Sequence, residues 1–157
     1  MMMNLCSKVL TVLDNRTLVT AESCTGGGIG AALTAIPGSS KIYKGGIISY
    51  TNDIKRDQLN IDGALLNRVG AVSAAVAEAM ATGVRRALKA DVAVSVTGLA
   101  GPGGDDFGNP VGTVFVGYAD NHICTSKAYH FSGNREEIRN CAVTAALEMV
   151  LEHNNAT

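Results

Sequence analysis

Tryptophan is absent from the 157-residue chain and aromatic residues make up only 4% of it, so any core must be built from Ala, Val, Leu and Ile rather than from large rings. Prolines number three, and no Pro/Ser-rich stretch or charge run divides the sequence, so a single domain over residues 1–157 is expected. The net charge is −1, which lacks the clustered Lys and Arg that neutralise phosphates and argues against a nucleic-acid partner. A small molecule is the expected partner. No run approaches ~18 apolar residues, and "MMMNLCSKVL" has no basic segment leading into a long apolar one, so neither a membrane span nor a signal peptide is expected. The four cysteines, Cys6, Cys24, Cys124 and Cys141, show no C-x-x-C spacing, and a chain of this length does not need disulfide staples. Reduced thiols in the cytoplasm follow, and three dispersed histidines give no metal site. The sequence is compatible with a homo-oligomer without requiring one.

What is present is a series of alternating patterns. Leu5, Val9, Val12 and Leu13 recur at helical spacing and predict a helix over about 4–14. "TLVTA" (17–21) reads as a short strand, and Ile29, Leu33 and Ile36 mark a second helix that "PGSS" (37–40) stops. Residues 41–50 read as a strand with a glycine interruption, followed by a short helix with Asn52 or Asp53 as cap. Ser73 suits the N-cap of a helix whose Val76, Met80, Val84 and Leu88 form one buried stripe. "DVAVSVTG" (91–98) suits a strand buried on both faces, and "VGTVFVGYA" and "ICTSKAYHF" read as a hairpin joined across Asp120, Asn121 and His122. Asn134 and Glu137 form a capping box ahead of a last helix carrying Ile138, Cys141, Ala142, Ala145 and Met149, with His153 in a frayed end.

The order α-β-α-β-α-α-β-β-β-α predicts an α/β fold, a three-layer α/β/α sandwich with a mixed, mostly parallel central sheet. Ligands of such sheets sit beyond the carboxyl ends of strands. Two glycine-rich turns, after Ala21 and after Thr97, stand at strand ends, which predicts one shared site.

The first of these turns, "ESCTGGG" (22–28), sets Ser23, Cys24 and Thr25 side by side. Glycines at a helix start leave N–H groups free for phosphate or an oxyanion, or simply permit close helix–sheet packing, and the residues leave both open. Neither G-x-G-x-x-G nor G-x-x-x-x-G-K-[ST] is present, so no dinucleotide or P-loop motif supports a choice. Cys24 is the best intrinsic nucleophile but equally a small packing residue, while Ser23 and Thr25 equally suit helix caps. A Ser-His-Asp triad would have to use His130. Lysine is the remaining base, and Lys55 follows a strand end on a polar segment with Tyr50 five residues earlier. As a base its pKa would have to fall from ~10.4 to about 7–8, a change that burial and Arg56 favour and Glu22 would oppose. Otherwise it is a solvated surface lysine. Arg135 and Arg139, four apart on the last helix, share a face and suit an anionic group or plain solvent.

"AESCTGG", "GGIISYTNDIK", "GAVS", "VSVTGLAGPGG" and "NPVGTVFVGYA", in this order, closely resemble the CinA C-terminal domain family over about residues 5–151. The resemblance implies the three-layer fold and, from the family's active members, hydrolysis of nicotinamide mononucleotide to nicotinic acid mononucleotide and ammonia, with no metal or cofactor. It implies Ser23 as nucleophile, Lys55 as base, and Tyr50 and Thr97 as further catalytic positions. Thr25, Gly26, Gly27, Gly98, Arg135 and Arg139 are the substrate-binding positions expected from the resemblance and the turns together, the glycine amides serving as oxyanion or phosphate cradle. The chain departs from the family pattern at Asn109, where Lys often precedes the Pro, and in the loop "GGDDFGN". Family members with an additional N-terminal domain exist, and this chain is expected to be the stand-alone form. A nucleotide-binding module without hydrolysis, tied to competence or the DNA-damage response, is the alternative.

Overall fold

The computed structural model describes residues 1–155. In chain order the elements are α1 (Met2–Leu13), β1 (Leu18–Glu22), α2 (Gly28–Thr34), a 3-10 turn (Ser39–Lys41), β2 (Tyr43–Ile48), α3 (Asn52–Leu59), α4 (Gly63–Val69), α5 (Ala74–Leu88), β3 (Val92–Gly98), β4 (Thr113–Ala119), β5 (Cys124–His130) and α6 (Arg135–Asn154). Among the described residues five strands form one sheet in the order β2-β1-β3-β4-β5. β2 and β3 both run parallel to β1, whereas β4 is antiparallel to β3 and to β5. Only β4 therefore opposes the common strand direction. This is the mixed three-layer α/β/α arrangement the element order predicts.

The chain steps from β1 outward to β2 and then back across β1 to β3. Right-handed crossovers in opposite directions put their helices on opposite faces, so α2 lies on one face with α1 and α6, and α3, α4 and α5 lie on the other. Alternation along β1 serves both layers. Leu18 joins the core under α1, α2 and α6, while Val19 and Ala21 join the core under α5. β3, central and covered twice, is buried along Val92–Thr97, as its unbroken apolar and β-branched run anticipates.

Local signals placed several boundaries well. Ser73 caps α5, its hydroxyl accepting from Val76 N. Asn134 and Glu137 form the capping box of α6, and Asp120 closes the β4–β5 hairpin by accepting from the amides of His122 and Ile123. Four expectations need correction. Helix α4 was not anticipated, because Gly63 opens it; Asp62 supplies the cap, accepting from Ala64 N at 3.0 Å. The N-cap of α3 is Thr51 rather than Asn52 or Asp53. Cys141 is exposed although it fits the apolar spacing of α6. His153 is not frayed, since its ring stacks on Tyr118 at 4.6 Å and α6 continues to Asn154.

Candidate active site

Because β2, β1 and β3 are adjacent and parallel, their carboxyl ends open onto the same edge. Ser23 is the first residue past β1, and its N–H donates to Val96 O of β3 at 3.0 Å, which carries the sheet pairing one step into the turn. Glu22, the last residue of β1, points its carboxylate the other way, into the start of α2. There it accepts from Thr25 Oγ1 (2.6 Å), Ile29 N (2.9 Å) and Gly30 N (3.1 Å). The N-cap residue Gly27 has φ +99°, a left-handed conformation that glycine enters without cost, and it has no side chain of its own to cap the helix. Glu22 performs that task from the preceding strand.

Lys55, on α3, reaches Ser23 across a gap of 32 residues in sequence. Its Nζ lies 3.0 Å from Ser23 Oγ, 2.7 Å from Ser49 O and 3.4 Å from Tyr50 O. Lys55 is 1% exposed and Ser23 7%. Glu22 does not pair with this lysine, its carboxylate being committed to α2. Arg56, expected to add repulsion, is exposed and paired with Asp53 and Asp57. Burial alone therefore dominates, lowering the Lys55 pKa from 10.5 to about 8. The neighbouring thiol moves the opposite way for the same reason. Cys24 is buried in the core under α2 and α6, and burial pushes it up to about 11, so near neutral pH it is a protonated thiol and a poor nucleophile.

Ser23, Cys24, Lys55, Tyr50, Thr97, Gly98 and Arg135 line one open cavity of about 470 Å³, closed on its far side by the loop 101–107. Residues of both turns, Ser23 and Cys24 of the first and Gly98, Gly101, Gly103 and Gly104 of the second, line this one cavity. Thr97 donates its hydroxyl to Ala71 O at 2.8 Å, which leaves its lone pairs for a ligand donor. Arg135 donates to Gly101 O and, at 3.2 Å, to Tyr50 Oη, bridging the loops that follow β3 and β2.

The remaining expected binding residues lie elsewhere. Thr25, Gly26, Gly27 and Arg139 do not line the cavity. Thr25 is buried with its hydroxyl given to Glu22. Gly26 N donates to Ser23 O (3.1 Å) and Gly28 N to Thr25 O (2.9 Å), so together with Glu22 the turn consumes much of the anion cradle expected of it. Among the described residues, the N–H groups of Cys24, Thr25 and Gly27 carry no hydrogen-bond partner. Arg139 sits one helical turn beyond Arg135 but donates to Cys24 O (2.9 Å) and Thr25 O (3.2 Å), buttressing the turn from α6. His130, on edge strand β5, does not line the cavity. The carbonyls of Ser49 and Tyr50, which hold Lys55, could not be singled out in the sequence because any residue supplies a carbonyl.

A family model described as the CinA C-terminal domain matches residues 3–153, nearly the whole chain. The chain belongs to the CinA C-terminal domain family. Among curated CinA-like proteins, that of Synechococcus sp. (strain RCC307) is 51% identical over 138 residues, covering 87% of this chain and 33% of that protein. That of Geobacter metallireducens is 48% identical over 132 residues, covering 84% of this chain and 32% of that protein. This CinA domain thus spans about a third of the length of the curated relatives it matches. Among solved structures, the competence/damage inducible protein CihA from Agrobacterium tumefaciens superposes with a TM-score of 0.91 at 38% identity, covering 98% of this chain and 96% of that one. A CinA superfamily protein from Klebsiella pneumoniae gives 0.94 at 32% identity, covering 97% and 96%. Among the described residues no helix of this CinA domain is long and apolar enough to cross a membrane.

Proposed function

We propose that this CinA domain is an amidohydrolase that deamidates nicotinamide mononucleotide by acyl transfer, with Ser23 as nucleophile and Lys55 as its base. The observation that carries this reading is the buried contact of Lys55 Nζ with Ser23 Oγ at 3.0 Å, beside two carbonyl oxygens and no carboxylate. A carbonyl can only accept. When Lys55 is neutral, its two N–H bonds satisfy Ser49 O and Tyr50 O, and the nitrogen lone pair is left for the Ser23 hydroxyl proton. Ser23 Oγ then attacks the carboxamide carbon, the C–N bond breaks, and the proton held by Lys55 leaves with ammonia. Water, deprotonated by the same lysine, attacks the ester carbon and releases the acid and Ser23. The amide of Cys24, which lines the cavity and is free of other partners, is the donor available to the tetrahedral oxyanion. Thr97 Oγ1, already committed as a donor to Ala71 O, can accept from the carboxamide nitrogen.

The alternative, a nucleotide-binding module without chemistry, draws less support from the glycine turn, because Glu22 takes the Ile29 and Gly30 amides at the start of α2 where a phosphate would bind. Ammonia release from nicotinamide mononucleotide by the purified protein tests the proposal. Turnover is expected in the wild type and a loss of about 10²–10⁴-fold in Ser23→Ala and in Lys55→Met. Saturable binding without ammonia release supports the module instead, and wild-type turnover in both variants rules out the dyad.

A further inference from the structure

Phe107 takes no part in the chemistry above, yet it is a large apolar side chain left 49% exposed on the wall of the cavity that Ser23 and Lys55 share. Its position is fixed from behind. Gly70, which ends α4, has φ +79°, and a β-carbon built on it would stand 2.6 Å from Phe107 Cδ2 and 2.9 Å from Cε2. The ring therefore rests directly on the Gly70 main chain. The loop that carries it is tied at several points. Asp105 Oδ1 accepts from Phe107 N and Asn109 N, both at 3.0 Å, and Asn109 Nδ2 donates to Asp105 Oδ2 (2.8 Å) and Val72 O (3.1 Å). Asn109, which departs from the family pattern, is what pins this loop to the segment ahead of α5. Asp105 and Asp106 also line the cavity, immediately before the ring in sequence.

An aromatic ring backed by main chain on one side, open on the other and set in a wall that includes two acidic residues suits a flat cation, which gains both stacking and attraction to the ring's negative face. We propose that Phe107 is the stacking platform for the pyridinium ring of the substrate and gives this site its preference for a cationic heteroaromatic carboxamide. The inference rests on the reading of the site as one for a nicotinamide nucleotide.

The lack of tryptophan makes a direct test available. Phe107→Trp introduces a single indole, whose fluorescence a stacked pyridinium quenches. Titration with nicotinamide mononucleotide is expected to quench it saturably, and the uncharged dihydropyridine form of the nucleotide is expected to bind roughly 3- to 30-fold more weakly. In the ammonia assay Phe107→Leu is expected to raise KM roughly 3- to 30-fold with kcat within about twofold, while Phe107→Tyr stays near wild type. Gly70→Ala, which pushes the ring from its seat, should raise KM in the same direction. The platform is overturned if the indole is unquenched at saturating nucleotide, or if Phe107→Leu turns over with an unchanged KM. Quenching without ammonia release keeps the platform and removes the hydrolase reading; ammonia release with neither quenching nor a KM change does the reverse.

Discussion

A lysine buried away from water with no carboxylate beside it holds its proton weakly, and burial brings the Lys55 pKa down to about 8. Protonated, it cannot take the Ser23 proton. The pH profile of kcat/KM is therefore expected to rise through about 8 and level above it, as measured by initial rates of ammonia release. A profile flat from pH 6 to 9 would remove Lys55 as the base. Arg139 calls for a different variant. It touches the turn's carbonyls and not the cavity, so Arg139→Ala is expected to lower kcat about tenfold with KM within about twofold, and added guanidinium ion should restore part of the loss. A KM effect with kcat intact would return Arg139 to the substrate-binding role its sequence spacing suggests. The residues alone left Ser23, Cys24 and Thr25 open and Lys55 as either a base or a solvated lysine; the resemblance pointed to Ser23 and Lys55, which the fold brings to 3.0 Å. Which of two arginines on one helix face reaches the cavity was not readable in the sequence, because that depends on where the turn after β1 docks against α6.

Helix α2 illustrates how an element can be completed from outside itself. It has seven residues, a glycine for an N-cap and no capping side chain within it, and it relies on the carboxylate of Glu22. Glu22→Ala strips the acceptor from the buried Ile29 amide, the half-buried Gly30 amide and the Thr25 hydroxyl, and is expected to cost about 2–4 kcal/mol by chemical denaturation. Asn134→Ala removes one cap of a long helix and should cost about 1 kcal/mol. Equal losses in the two variants would mean that Glu22 does no more than an ordinary cap. The same contrast explains what could be read in advance. Asn134 and Glu137 lie three apart and announce their helix locally, as Ser73 does for α5. The Glu22 cap spans a turn, and the placement of β3 beside β1 rather than β2 is a long-range pairing that no window of sequence contains.

The buried lysine also affects the molecule as a whole. Its pKa lies at about 8 in the folded chain and near 10.5 when exposed, so between those values the unfolded chain holds a proton that the folded one has released. Stability gained from this group rises with pH across that window, by at most about 3 kcal/mol, and is flat below 8 where both states are protonated. Thermal melts from pH 7.5 to 10.5 are expected to show this rise for the wild type relative to Lys55→Met; parallel curves would contradict it. Helix α6 sets another property of the whole. Arg135, its first residue, stands at the mouth of the cavity, and its 20 residues carry the chain about 30 Å away. At that far end Leu151 and Asn155 share a groove with Met1 and with Leu5 of α1. Both ends of the described chain thus emerge on the side opposite the mouth. The domain can be tethered by either one, to a surface, a label or a second polypeptide, with the mouth of the cavity left uncovered.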